Sequence, residues 1–176
     1  MKRSDLRAIV DDQRRLLDAA PVGLQRDALL TIPDLRTHAI VVSGIRRCGK
    51  STLLHQFARQ LAAPYCYLNF EDLRLSAFTA DDYRLLDGEI AERGATTVLF
   101  DEVQAAPQWD RYVRRLLDAG MRVILTGSNA ALLSRELGSV LTGRHLQREL
   151  FPFSWSEYLR FRGLSSGREA LEQYLT

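Results

Sequence analysis

The chain has 176 residues, 46% of them hydrophobic and 26% charged, a length that fits one domain with the start of a second. Its net charge is +2 and no acidic or basic tail is present, so the balance alone argues for neither a nucleic-acid nor a membrane partner. Its longest apolar runs, at 39–42 and 98–100, are far short of the roughly 18 residues that span a bilayer.

The amino terminus carries basic residues but no apolar stretch of the signal-peptide kind. Two cysteines, Cys48 and Cys66, are too few for a disulfide framework and read as free thiols in a reducing compartment, so a cytoplasmic protein is expected. Of 24 cationic residues only Lys2 and Lys50 are lysines. That scarcity gives Lys50 weight below.

Leu6, Ile9, Val10, Gln13 and Leu17 follow a helical period, with Gln13 the polar exception. Ser4 stands where an N-cap is expected and Pro21 ends the pattern, which predicts a helix over about 4–19. Arg3, Arg7, Arg14 and Arg15 on this helix read as a solvated face. A β-branched run, 38–43, predicts a first strand that enters a glycine loop, followed by a helix over 50–62. Strands at 65–70 and 97–100 flank a helix opened by Thr79 and Asp82 as a capping pair.

Trp109, Tyr112, Val113, Leu116 and Leu117 form the clearest amphipathic helix, and 122–126 is a fourth strand. A helix to about Leu141, a weaker strand at 146–151, and two short helices opened by Ser154…Glu157 and Ser166…Glu169 complete the chain. Strands alternating with helices of this length predict an α/β fold, a parallel sheet covered on both faces.

The segment Gly44-Ile45-Arg46-Arg47-Cys48-Gly49-Lys50-Ser51, followed by Thr52, matches G-x-x-x-x-G-K-[ST] between a strand and a helix. Glycines there let successive backbone N–H groups turn toward phosphate oxygens, and the helix N-terminus adds its partial positive charge. Lys50 is placed to reach the outer phosphates, and the Ser51 hydroxyl to ligate Mg2+.

The apolar strand Val98-Leu99-Phe100 ends in Asp101 and Glu102. Asp101 at the carboxyl edge of the sheet is the second expected metal ligand, and Glu102, one residue on, is expected to polarise an attacking water. The fourth strand ends in Thr126-Gly127-Ser128-Asn129. Ser128 or Asn129 is a candidate to sense the outer phosphate, and Asn129 as a plain helix cap is the alternative.

The paired arginines in the phosphate loop, the Asp101-Glu102 pair, the segment 126–130 and the stretch from Leu141 to Leu159 (LTGR…LFPFSWSEYL) resemble AAA-superfamily ATPases. More narrowly they resemble the bacterial and archaeal AAA domain that precedes an uncharacterised carboxyl-terminal domain. The resemblance covers about residues 30–175. It implies a three-layer P-loop NTPase sandwich with a five-stranded sheet of order 5-1-4-3-2, ATP with Mg2+, and the roles given above for Asp101, Glu102, Ser128 and Asn129. It divides the chain into an amino-terminal helix and connection (1–25), an ATPase core (26–152) and a helical extension (153–176) leading to a further carboxyl-terminal region. That region is where a DNA or protein partner would be met.

Arg144, between the last two core elements, stands where AAA ATPases commonly carry an arginine finger. It is a candidate to stabilise phosphoryl charge in a neighbouring subunit on self-association; Arg148 is the alternative, and a surface ion pair the plain reading. Arg46 and Arg47 either meet phosphates or face solvent. Cys48, beside a helix N-terminus, is a candidate for alkylation that blocks ATP binding. Glu71 and Asp72 read as capping or solvated acids. His38, His55 and His145 are dispersed, without ligand spacing, and Trp155, Tyr158 and Phe161 read as core or docking surface. The expected activity is hydrolysis of ATP to ADP and phosphate; the rivals are a slow ATP-dependent switch or scaffold and a small-molecule P-loop kinase, against which the adjacent acid pair argues.

Overall fold

Four short apolar runs become parallel strands, β1 (Ala39–Ser43), β2 (Tyr65–Asn69), β3 (Thr97–Asp101) and β4 (Arg122–Thr126), and a mostly polar, exposed segment adds the fifth, β5 (His145–Glu149). The computed structural model describes residues 1–127, 141 and 143–175. The strands lie in the order β2-β3-β4-β1-β5, the expected arrangement. Every neighbouring pair is parallel, with Ile40 opposite Ile124, Asn69 opposite Asp101, and Ala39 to Ser43 opposite His145 to Glu149. In a parallel sheet covered on both faces the side-chain period of two sends alternate residues into two separate cores.

Ala39, Val41, Leu68, Val98, Phe100, Val123 and Leu125 face one side. There they meet helices α1 (Arg3–Ala19), α3 (Tyr83–Glu92) and α4 (Trp109–Asp118). Ile40, Val42, Tyr67, Leu99 and Ile124 face the other, against α2 (Lys50–Gln60). Two further helices, α5 (Trp155–Arg162) and α6 (Arg168–Leu175), follow β5. Among the described residues no helix is long and apolar enough to cross a membrane.

Most expected elements fall within a few residues of their bounds, and the differences have local causes. The first helix starts at Arg3, so Ser4 lies inside its first turn and hydrogen-bonds Asp5 instead of capping. Thr79 and Asp82 cap as expected, the Asp82 carboxylate accepting from the Thr79 N–H and hydroxyl at 2.8 and 2.9 Å, but a 3-10 turn precedes α3. Ser154 and Glu157 form the expected capping box of α5. At α6 the Leu171 N–H donates to the Gly167 carbonyl, which moves the cap from Ser166 to Gly167. The helix expected up to about Leu141 and the candidates Ser128 and Asn129 lie outside the described residues.

The arginines of α1 do more than face solvent. Arg3 and Arg7 pair with Glu92 and with the buried Glu89 of α3, so they fasten α1 across the sheet face. Gln13 has a specific partner too: its amide accepts from the Asn69 N–H at 2.7 Å and donates to the Asn69 carbonyl at 3.1 Å. It completes the outer side of edge strand β2 as a neighbouring strand would.

Gln13 also donates to Asp72, which caps the 3-10 turn after β2 and pairs with Arg74. The Arg74 guanidinium holds the Asp72 carboxyl well below its ordinary 3.8, against partial burial. A depressed carboxylate contributes stability above its unfolded value and loses it as pH falls through the folded one. Asp72→Asn is therefore expected to lower stability by up to about 1 kcal/mol at pH 5. Urea unfolding should show the difference from wild type shrinking as the pH is taken below 3.8.

Candidate active site

The carboxyl ends of β1, β3 and β4 meet at one edge of the sheet, and the expected site residues stand on them. After Ser43 the chain turns at Gly44, whose φ is +147°, and passes through exposed Ile45, Arg46 and Arg47 to buried Cys48. Gly49, at φ +98°, starts α2. Room decides both glycines. A side-chain Cβ on Gly44 would lie 2.2 Å from the Leu150 carbonyl oxygen, and one on Gly49 2.9 Å from an Arg26 guanidinium nitrogen. Arg47 itself adopts φ +67°, an uncommon conformation for a non-glycine residue.

Lys50 is buried, and its ammonium donates to the carbonyls of Gly44 and Ile45, both at 3.2 Å, so it bridges back across the loop it follows. Ser51, in the first turn of α2, stands near enough to the carboxylate of Asp101 at the end of β3 to help pull that carboxyl down. Two oxygen donors expected to hold a hard cation, one from α2 and one from β3, thus stand side by side.

Asp101 is wholly buried. Tyr67 donates to its Oδ2 at 3.2 Å, and the Thr126 hydroxyl donates to its Oδ1. Burial pushes the Asp101 carboxyl up, as does the neighbouring charge of Glu102, while Thr126, Ser51 and Tyr67 pull it down. Burial, then the charge of Asp101, raises the Tyr67 hydroxyl, so the phenol stays a donor.

Glu102 adopts a left-handed conformation, φ +50° and ψ +50°. Its N–H donates to the Thr126 hydroxyl at 3.1 Å, and its Oε2 accepts from the Gln104 amide at 2.7 Å. The turn that separates the two acids sends Asp101 inward and leaves Glu102 half-exposed. Thr126, on one oxygen, fixes both.

Beside the loop lies a cavity of about 410 Å3. Gly23 and Leu24 from the segment after α1, Gly49 and Thr52 below, and Phe153 and Phe161 from the segment around α5 line it. Phe161 thus faces the loop, whereas Trp155 and Tyr158 pack with Tyr174, at ring separations of 5.2 to 6.0 Å, and join α5 to α6.

Several candidates stand elsewhere. Arg144 precedes β5, at the amino end of the strands; its carbonyl accepts from the Ala39 N–H and its side chain pairs with Asp118. Five residues of strand, about 15 Å, separate that end from the phosphate loop. Arg148 reaches the Thr31 carbonyl. Cys48 is 5% exposed, a poor target for alkylation. Among the described residues no cluster of three or more histidines, cysteines or acids forms a metal site.

The pattern of the AAA domain family matches residues 36–159, a span that holds the phosphate loop, both acids and the start of α5. The chain belongs to the AAA domain family. An uncharacterised protein of Methanocaldococcus jannaschii is 36% identical to this AAA domain over 127 residues, 71% of this chain and 29% of its own length. One from Haemophilus influenzae is 34% identical over 136 residues, 72% of this chain and 34% of its own. The chain therefore spans about a third of the curated relatives it matches. Solved structures similar to this AAA domain include AMPPCP-bound DnaA from Aquifex aeolicus, at TM-score 0.48 and 17% identity over 85% of this chain and 52% of that one. Another is Caenorhabditis elegans PCH-2, at TM-score 0.49 and 17% identity over 95% and 49%.

Proposed function

We propose that this AAA domain binds ATP with Mg2+ and hydrolyses it to ADP and phosphate, coupling turnover to conformational change. The nearness of the Ser51 hydroxyl to the Asp101 carboxylate supports the reading, because it brings the end of the glycine loop to the acid pair. In this reading the N–H groups of Gly44 to Ser51 and the Lys50 ammonium bind the phosphates, and the nucleoside end occupies the cavity lined by Leu24, Phe153 and Phe161. Lys50 exchanges its two carbonyl partners for phosphate oxygens.

Ser51 and Asp101 hold the cation, which when bound offsets the charge on the phosphates. Glu102 accepts a proton from the attacking water. Arg144 serves a neighbouring copy, since its own loop is at the other end of the sheet. The hold of Gln104 on Glu102 also supports a slower use of the same site, as an ATP-dependent switch that displays a protein or DNA surface. Two free, buried thiols fit a reducing cytoplasm; burial pushes Cys66 up to about 12.

Calorimetric titration with Mg-ATP, together with phosphate release without any added acceptor, tests the reading. Lys50→Ala removes charge-assisted bonds to phosphate of about 1.5–3 kcal/mol each and is expected to weaken binding about 100-fold. Absence of binding by the wild type, or equal binding by Lys50→Ala, overturns it.

A further inference from the structure

Three separate stretches of chain meet at one guanidinium. Arg26 is 4% exposed. Its Nε donates to Glu157 Oε1 of α5 at 3.0 Å, its Nη1 to the Cys48 carbonyl of the phosphate loop at 2.6 Å, and its Nη2 to the Phe151 carbonyl after β5 at 2.7 Å. The Phe153 ring lies 5.1 Å from the guanidinium carbon. Glu157, equally buried, also accepts from the N–H groups of Asp27 and Ser154 at 2.9 and 2.8 Å. Gln56 of α2 accepts from the Arg26 N–H at 2.9 Å and donates to the carbonyls of Val22 and Leu24.

A pair this buried is held by its full set of partners, and removing one of them strands the other charge. The loop contact has a directional consequence. The Cys48 carbonyl and the Gly49 N–H belong to one trans peptide and point opposite ways. By holding the carbonyl, Arg26 turns the Gly49 N–H away from itself, as a loop that binds phosphate through its N–H groups requires. The same guanidinium ties α5, which carries Phe161, to the loop and so closes the cavity.

We propose that Arg26 and Glu157 are positioning residues that couple occupancy of the phosphate loop to the docking of α5. Docked α5 keeps Glu157 on Arg26, Arg26 keeps the loop peptide turned for phosphate, and nucleotide in the cavity clamps α5 in return. Whatever follows α5 thereby feels the state of the site. The coupling is reciprocal: the factor by which docking tightens nucleotide binding is the factor by which nucleotide tightens docking, typically about 5- to 150-fold. The proposal rests on the ATP-binding reading above.

Hydrogen exchange of the full chain, with and without a non-hydrolysable ATP analogue and Mg2+, tests it, with analogue affinity measured by calorimetry in parallel. In the wild type the analogue is expected to slow exchange at 44–52 and also, by about fivefold or more, at 155–162. Glu157→Gln is expected to bind about 5- to 150-fold more weakly and, once saturated, to keep protection at 44–52 while losing it at 155–162. Arg26→Lys, whose single ammonium cannot reproduce the three-way fork, is expected to behave alike. Protection at 44–52 without any at 155–162 in the wild type overturns the coupling and needs no variant to fold. Coupled protection that survives in Glu157→Gln overturns the role of the pair. Failure of the wild type to bind the analogue overturns the ATP reading and this inference together.

Discussion

Glu102→Gln is expected to lower steady-state phosphate release by about 10²- to 10⁴-fold while leaving ATP affinity within a few-fold of wild type. The substitution is close to isosteric, and its amide oxygen still accepts from Gln104, the contact Glu102 makes at 2.7 Å. The backbone turn is untouched, because the Thr126 hydroxyl holds the residue through its N–H. The substitution removes the proton acceptor, and Asp101 cannot replace it, being buried and directed inward by Tyr67 and Thr126. Phosphate release by wild type and variant, each with and without DNA and across protein concentration, checks this. A variant that turns over within threefold of wild type would mean that the carboxylate is not the base, and that hydrolysis is incidental to a switch. A rise in wild-type turnover with concentration that Arg144→Ala removes would assign Arg144 to a neighbouring site.

Gly44→Ala should be among the most damaging single substitutions in the domain. At φ +147° an L-residue is strained by about 1–3 kcal/mol, and the new methyl would lie 2.2 Å from the Leu150 carbonyl oxygen and 2.9 Å from Cys48 Sγ. The first obstacle is backbone, fixed in place by the Leu150 N–H donating to the Ser43 carbonyl at 2.7 Å. It cannot rotate aside, so the end of β5 must shift away from β1. A total near 3 kcal/mol corresponds to a fall in Tm of about 6–12 °C for a chain of this size. Gly94→Ala is the control: its φ is +59° but nothing lies within 4 Å, so only the conformational cost of about 1 kcal/mol applies. Thermal unfolding by circular dichroism compares them. Equal shifts would show that the Leu150 contact is immaterial.

Four strands were legible because each is a nearly unbroken apolar run buried on both faces, whereas β5, mostly polar and exposed at the sheet edge, read only weakly. The glycine loop and the acid pair stood out because the chemistry expected of them needs fixed spacing along the chain. Thr126 was not, although it stands at the end of a recognised strand; its role depends on β3 and β4 lying side by side, which no local pattern states. Arg26 and Glu157 are 131 residues apart, and Glu157 shows locally only as the partner of Ser154. One of its oxygens does serve that capping box, and the other belongs to Arg26. Gln13 stood out as a polar residue on an apolar stripe, but its partner, the edge of β2, is visible only in the folded sheet. Arg3 and Arg7 looked solvated for the same reason: Glu89 and Glu92 lie on another helix.

The position of Arg144 constrains any assembly that would use it. The residue and the phosphate loop sit at opposite ends of the same strands, as donor and acceptor poles of one body. Two copies related by a two-fold axis would bring like pole to like pole or place both contacts on one shared face. A chain of copies, each offering Arg144 to the next one's loop, is instead heterologous and directional, so it closes only as a ring and otherwise runs on as a helical filament. In a filament the terminal site would hold nucleotide without its arginine, whereas a closed ring leaves no such site, and in either form Arg144 must first leave Asp118.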